Sequence, residues 1–407
     1  MDAASEFKSE TKRWAHNYPE LGTGPVPIEP CISPEYFERE REAIFRRVWL
    51  HVGRVEEIPH AGDYFARDIP PAKASIIVIR GNDGVIRAFH NMCSHRGNKL
   101  AWDEAGHCER VLTCRFHRWA YAFDGKLQRV SDENQYHQLD KADLALSPVN
   151  VETWEGFIFV NLDSEPPETL SEYLGELGRG IGGWPFSAER ACYSYRSEVH
   201  CNWKVAMGAF QESYHVPFVH YRSVPESPAG PDNPYARPIA VRLFPRHQTL
   251  SVYANPNVKA NAMDEVAVRY GPGMRKRGVV SGDLPPGVNP TRSPRWGFDM
   301  ETIFPNLLMM LWGNGMLVTH QFWPSEYNRT AYEVRIYLRK PATLGARFSQ
   351  EYNRAVLRSA LMEDLATLEN IQPMLESRAK KHFIFQDNEI GLRHHLKVVD
   401  EFVRGAA

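Results

Sequence analysis

Long apolar runs are missing from this 407-residue chain: no stretch approaches the roughly 20 residues that a membrane-spanning helix needs. The opening MDAASEFKSETKRWAH has mixed charge and lacks the apolar centre of a secretory signal, so a cytoplasmic protein is expected. An excess of one charge is missing too. Lys and Arg number 48 against 50 Asp and Glu, for a net charge of −2, which gives no reason to expect nucleic acid or anionic membrane as a partner. Cysteine is scarce. The six residues Cys31, Cys93, Cys108, Cys114, Cys192 and Cys201 do not make a disulfide scaffold in a chain of this length. In a reducing compartment, clustered cysteines point to metal instead. There is no internal repeat and no low-complexity block. Apolar residues (43%) and charged residues (24%) match an ordinary globular protein, and the length suggests two or three domains.

Residues 34–48, PEYFEREREAIFRRV, predict a surface helix started by Pro34. From Asp63 the pattern shortens to strand-like runs: DYFARDI, SIIVI, VIRAF, VLTC, WAYAF and FIFVNL. This predicts a small all-β domain over 46–165, followed by the polar, Pro-containing linker DSEPPETL at 163–170. The second half is mixed. ACYSYRSEVH, RPIAVRLFPRH and QTLSVYA read as strands, Trp203–His220 as a helix, 255–297 as loop, and 316–338 as a long hairpin turning at EYNR. Residues 348–377 form the clearest helical pattern. An α+β domain in which a sheet grips a long helix is expected over 166–407.

The stretch NMCSHRGNKLAWDEAGHCERVLTCRFHRWAY, 91–121, holds three cysteines and three histidines. Cys93-Ser-His95 and Cys114-Arg-Phe-His117 each offer one thiolate and one imidazole. Two such loops can close on one centre from two sides. The same residue types serve a tetrahedral zinc site. A mixed pair on each arm suits a [2Fe–2S] cluster in which two cysteines hold one iron and two histidines the other. His107 and Cys108 share no short ligand spacing with a partner and read as bystanders. A cluster of this kind relays single electrons, so a second redox centre is expected.

That centre is suggested by NWKVAMGAFQESYHVPFVH, 202–220, which is too apolar for a solvent-facing helix yet contains Glu212, His215 and His220. Buried ionisable groups are costly unless paired or metal-bound. Pro217 can break the regular turn and let both imidazoles converge. A third ligand would complete the two-His, one-carboxylate set of a non-haem Fe(II) site. Asp364 lies in the apolar stripe of the long helix, with Leu357, Ala360, Leu361, Leu365, Leu368 and Ile371. Glu363 sits one step round and reads as a solvated surface acid.

CSHRG (93–97), CRFHRWAY (114–121) and the Asp124-Gly125 pair resemble the Rieske family. NWK, then E-x-x-H-x4-H, then Glu363-Asp364 with Glu369, is similar to the catalytic domain of Rieske non-haem iron oxygenase large (α) subunits. The resemblance covers residues 35–400. It implies an N-terminal arm over 1–45 packing on the catalytic domain, a Rieske [2Fe–2S] domain over 46–165 and a helix-grip mononuclear iron domain over 166–407. It implies Cys93, His95, Cys114 and His117 as cluster ligands, and His215, His220 and Asp364 as Fe(II) ligands. Glu212 would be the acid that bridges to a cluster histidine, His117 by position, of a neighbouring subunit. A homo-oligomer, a trimer above all, follows from that bridge. A β subunit is left open.

Three features depart from the family pattern. Arg115 and Arg118 stand where Pro and Gly are usual. They add positive charge beside the cluster, or stay solvated. The Glu-Asn pair expected after NWK is replaced by Gly208 and Ala209. The glycines 178, 180 and 183 do form G-x-G-x-x-G, but without the strand–turn–helix setting of a dinucleotide site. Electrons from NAD(P)H would therefore arrive through a separate reductase, with or without a ferredoxin.

The expected activity is hydroxylation, by O2, of a small hydrophobic and aromatic substrate. The pocket would be lined by Met207, Phe210, Phe304, Leu308, Met310 and Trp312. Oxidative N- or O-dealkylation uses the same iron chemistry and is the alternative. A non-enzymatic electron-transfer or zinc-stabilised binding protein is the reading from another class.

Overall fold

The computed structural model describes residues 13–186, 190–224, 228–258, 261–271, 284–313 and 316–405. The chain separates into two units: Arg41–Tyr173, and Met1–Glu40 together with Leu174–Ala407.

The unit Arg41–Tyr173 is all β in its core. Its seven-stranded sheet runs in the order Leu50–Arg54, Phe157–Asn161, Pro148–Trp154, Ile86–His90, Ala74–Arg80, Asp63–Ile69, Ala105–His107. A three-stranded sheet follows, made of Leu112–Thr113, Ala120–Tyr121 and Leu127–Arg129. Ile77, Ile79, Phe89, Trp119, Tyr121 and Phe123 pack round the buried Cys93 and Cys114. At Gly125 (φ 88°) an added Cβ would lie 2.5 Å from the Phe89 ring, so the Asp124-Gly125 turn tolerates no side chain there.

The two cysteine loops are conformational twins. Cys93 N–H donates to Asn98 O (2.9 Å), and Cys93 O accepts from Gly97 N–H (2.9 Å). Cys114 N–H donates to Trp119 O (2.8 Å), and Cys114 O accepts from Arg118 N–H (3.0 Å). In both loops the fourth residue after the cysteine has positive φ: 76° at Gly97 and 60° at Arg118. Arg118 thus occupies a backbone position that glycine fills without a steric cost.

The other unit is built on a seven-stranded antiparallel sheet. Its order is Arg190–Val199, Arg329–Leu338, Met316–Glu326, Leu307–Trp312, Trp296–Ile303, Gln248–Tyr253, Ala240–Leu243. LLMMLW, 307–312, is apolar without alternation because it is the central strand and is buried at every position. The long helix Leu344–Glu376 begins at the Thr343 cap, whose hydroxyl accepts from Ala346 N–H. Its buried positions 349, 350, 353, 357, 360, 361, 364, 368 and 372 follow the helical period, single or in adjacent pairs three or four residues apart, and make one stripe.

Three sequence expectations change. The segment 34–48 is not one surface helix: Pro34–Glu40 is α-helical, Arg41–Phe45 is a π-turn, and Tyr36, Phe37, Glu40, Arg41, Ile44 and Phe45 are buried. Glu40 is buried because Lys204 Nζ meets its carboxylate at 2.5 Å and Trp203 Nε1 donates to it at 2.9 Å. The loop expected over 255–297 contains the helix Ala262–Tyr270, held to the long helix by Tyr352 Oη donating to Asp264 at 2.8 Å; its residues 259–260 and 272–283 lie outside the described residues. The helix expected over Trp203–His220 is two pieces, Trp203–Gly208 and Val216–Val219, with a non-helical stretch between them.

The glycines 178, 180 and 183 fall at the end of the helix Leu170–Ile181, where Gly287 N–H donates to Gly180 O at 2.7 Å. At Gly180 the Cα of Gly287 would lie 3.3 Å from an added Cβ, so this glycine serves close backbone packing. No helix among the described residues is long and apolar enough to cross a membrane.

Arg118→Gly is expected to raise folding stability by about 1 kcal/mol, by removing the left-handed strain from the second loop. A denaturant titration that shows no gain, or a loss, would refute the strain argument.

Candidate metal centres

The break in the 203–220 segment creates the first centre. His215 caps the start of the helix Val216–Val219 and His220 caps its end, so one helical turn separates the two imidazoles. Pro217 sits in that first turn, where no backbone N–H is needed. The ring centroids lie 5.2 Å apart. Both rings turn Nε2 toward one carboxylate: His220 Nε2 is 3.0 Å and His215 Nε2 3.5 Å from Asp364 Oδ1. Among the described residues, these three form the group of His, Cys, Asp or Glu whose ligand atoms all lie within 4.8 Å of one another.

Both Nδ1 atoms are held as well. His215 Nδ1 is hydrogen-bonded to Glu212, whose other oxygen accepts the His215 backbone N–H at 3.1 Å. His220 Nδ1 meets Glu363 Oε2 at 2.9 Å, and Ser223 Oγ donates to the same oxygen at 2.6 Å. Glu363 is therefore not the solvated surface acid expected from the helical pattern. It faces residues 220–223, and a wheel drawn for one helix alone does not show that neighbour. Burial alone would push the histidine pKa values down. For His215 the charges of Glu212 and Asp364, and for His220 those of Asp364 and Glu363, outweigh it, and both pKa values are raised. Such a site favours cations.

The group opens on a cavity of about 120 Å³ lined by Phe210, Val252, Phe298, Met300, Met310 and Trp312, among others. Phe298 and Trp312 stack at 4.4 Å. Of the pocket residues expected from sequence, Phe210, Met310 and Trp312 line this cavity, while Met207, Phe304 and Leu308 are core residues, fully buried and outside its wall. His320, which sequence reasoning missed, also lines it. Burial pushes its pKa down to about 3, so the ring is neutral, with Nδ1 2.6 Å from Tyr332 Oη.

The second centre lies in the β unit. The Cys93 and Cys114 thiols are within hydrogen-bonding reach of each other. Cys93 Sγ is 3.2 Å from Tyr121 Oη, which also accepts Ser94 N–H at 3.0 Å. Burial works against the Cys114 thiolate, but the backbone N–H groups of Phe116 and His117 favour it, and its pKa is lowered. The His95 and His117 rings stand 4.6 Å apart, and His95 stacks on Trp119 at 4.7 Å. His95 Nε2 is engaged with Tyr136 Oη at 3.4 Å. His117 Nδ1 is buried without a hydrogen-bond partner. His107 bonds Asp63 at 2.8 Å, and Arg115 pairs with Asp103 at 2.8 Å beside Trp102.

Residues 186–405 match the family model of the ring hydroxylating alpha subunit (catalytic domain), and residues 48–150 match the Rieske [2Fe-2S] domain. The chain belongs to the ring-hydroxylating α-subunit family. It is 32% identical over 186 residues to the carnitine monooxygenase oxygenase subunit of Acinetobacter baumannii, covering 45% of this chain and 49% of that protein. It is 33% identical over 181 residues to the glycine betaine monooxygenase oxygenase subunit of Pseudomonas aeruginosa, covering 44% and 41%. The chain thus spans about half the length of the curated relatives it matches. The structure of a quaternary ammonium Rieske monooxygenase shares the fold, with a TM-score of 0.72 at 22% identity over 93% of this chain and 95% of that one.

The cofactors of this family are a [2Fe–2S] cluster and a mononuclear non-haem iron. The residues present fit both. His117 Nδ1, buried without a hydrogen-bond partner, and the His95 ring 4.6 Å from the His117 ring offer nitrogen donors, and the buried free thiols Cys93 and Cys114 offer sulfur. Glu363→Ala should lower mononuclear metal affinity about 10- to 100-fold, because His220 loses the partner that orients it. Equilibrium Fe(II) titration of the apoprotein measures this; wild-type affinity would show that Glu363 is a bystander.

Proposed function

We propose that this chain is the terminal oxygenase component of a multicomponent Rieske system, and that it oxidises an N-alkyl carbon of a small substrate, releasing an amine and an aldehyde. The observation that carries the reading is the buried His215–His220–Asp364 group, with its Nδ1 atoms fixed by two further carboxylates, on the wall of an aromatic cavity.

Bound there, Fe(II) supplies dioxygen activation, and the cluster held by Cys93, His95, Cys114 and His117 supplies single electrons. The protein's own part is positional. Glu212 and Glu363 fix which ring nitrogen of His215 and His220 carries the proton and leave both Nε2 atoms free to ligate. Asp364 brings one negative charge to the same point. Tyr121 hydrogen-bonds the Cys93 sulfur, a contact that tunes the cluster's potential. Phe210, Phe298 and Trp312 wall the cavity and keep water from the reacting carbon.

Those ring faces suit a cationic N-alkyl group, at about 0.5–2 kcal/mol per face. The carnitine and glycine betaine relatives act on compounds of that kind, which favours N-dealkylation over ring hydroxylation. Hydroxylation of the carbon beside nitrogen gives a carbinolamine that splits into amine and aldehyde. The balance is one O2, two electrons and two protons in, and one water out. The electrons come from NAD(P)H through a separate reductase, with or without a ferredoxin.

We place Glu212 as the link to His117 of a neighbouring copy in a homo-oligomer, a trimer by preference; inter-subunit electron transfer is described for the quaternary ammonium monooxygenase. The site-residue roles, the domain limits 1–45, 46–165 and 166–407, and the cytoplasmic location belong to this same proposal.

Purified protein should be red-brown and, with a reductase, should consume NADH and O2 in the presence of quaternary ammonium or N-methyl compounds, releasing formaldehyde. Turnover of naphthalene-like or benzoate-like compounds without aldehyde release would shift the reading to ring hydroxylation. A colourless zinc protein would end it. Glu212→Gln should keep iron content near wild type, because an acceptor for His215 Nδ1 remains. Its product formed per electron should fall at least about tenfold. Unchanged coupling would remove Glu212 from the electron path.

A further inference from the structure

Two cavities meet at His215 and Asp364. The first, of about 120 Å³, has been described. The second is larger, about 230 Å³, and is bounded by Val205, Val219, Leu368, Ile371, Leu392 and Leu396, among others. Their walls share Ala209, Glu212, His215 and Asp364. His215 and Asp364, with Ala209 and Glu212, therefore form the partition between them, while His220 lines the first alone. The wall of the second cavity includes Thr367, which is exposed, and carboxylates whose side chains are 8% (Glu212) and 6% (Asp364) exposed.

We propose that the second cavity is a binding site and inlet for a small apolar gas, dioxygen, which reaches the metal centre from the side opposite the organic substrate. The inference rests on the oxygenase reading above. A substrate that fills the aromatic cavity closes that approach, so a co-substrate needed at the same moment must enter elsewhere.

The wall has the character such an inlet needs. Apart from the partition, its polar groups do not offer themselves to the space. Lys204 Nζ is tied to Glu40 at 2.5 Å with both side chains fully buried. The amide atoms of Gln211 and the Nε2 of His395 are buried beyond solvent contact and make no hydrogen bond. Water in the cavity would gain few partners there. Cavities lined by apolar side chains stay dry and take up apolar guests such as xenon. Dioxygen is a guest of the same kind.

Gly208 gives a way to narrow the route. It lines the cavity, and a Cβ added there would meet Leu392 Cδ2 at 3.5 Å and Cγ at 3.7 Å, ordinary contacts, so a side chain starts from this position without a clash at Cβ. Crystals of the iron-loaded full chain under xenon pressure should show xenon between Val219, Leu368 and Leu392, and none in Gly208→Leu. In solution, nitric oxide serves as a gas probe whose capture by the reduced protein is followed by stopped flow. With Met300→Trp filling the aromatic cavity, the added Gly208→Leu change should slow capture about tenfold.

An ordered chain of waters in place of xenon overturns the inlet. So does a capture rate that Gly208→Leu leaves unchanged in the Met300→Trp background. Should Gly208→Leu fail to fold, the xenon and water positions in the wild-type crystal decide alone. None of these readouts needs the substrate. The inlet can therefore fail while N-dealkylation stands, and the reverse.

Discussion

A carboxylate in the middle of an apolar helical stripe is the constraint on which the catalytic unit turns. Asp364 lies between Leu361 and Leu368 on the buried side of the long helix. Left alone, such a charge would cost several kcal/mol. It is instead met by two imidazoles, and each imidazole is met in turn by a further acid. Three carboxylates (Glu212, Glu363 and Asp364) thus share two histidines. With neutral rings the group carries three negative charges in a space mostly closed to water. A divalent ion at the point where both Nε2 atoms and Asp364 converge removes most of that excess. The same acids raise the histidine pKa values in the absence of metal, because protons are the cations otherwise at hand.

The rest of the unit follows from holding that group still. Asp364 is fixed by a helix of 33 residues whose stripe is anchored at both ends by side-chain amides: Gln350 donates to Arg339 O at 2.8 Å, and Gln372 accepts Asn202 N–H at 3.0 Å. The second of these bonds joins the long helix to the residue that caps Trp203–Gly208, the helix leading into the histidine segment. The histidines lie on irregular chain, where cap positions can aim two rings at one point; a straight helix with four residues between them would splay them. Rigidity comes from the long helix and adaptability from the broken one.

Much of this was legible because metal chemistry leaves short, local spacings. C-x-H, C-x2-H and H-x4-H can be read without any knowledge of packing, and the Asp364 position could be read from the helical period. What escaped depends on neighbours distant in sequence. The break after Gly208 was hidden because AFQES carries no proline and no second glycine to mark it; the interruption shows only in the backbone. Glu363 looked solvated because its partners, His220 and Ser223, are some 140 positions away. The same applies to His320, one histidine in a buried strand, which gains a role only once the cavity exists. In the strand 307–312, periodicity could not separate core from cavity wall, since all six residues are buried.

The two cluster loops show the same logic at the level of the backbone. Each cysteine is closed into a ring by a pair of hydrogen bonds to the fourth and fifth residues beyond it, and each ring requires a left-handed residue at the fourth. Glycine meets that need in the first loop and arginine in the second. The geometry is therefore imposed by what the loop must hold, not by the residue at its corner. A sequence pattern that demands Gly at position 118 would score this chain as divergent, although the backbone there has the twin's hydrogen bonds. The departure places an exposed positive charge next to His117 in the chain. The loop keeps its hydrogen bonds and carries the left-handed strain at a non-glycine residue, so the backbone closure outweighs the local cost of roughly 1–2 kcal/mol.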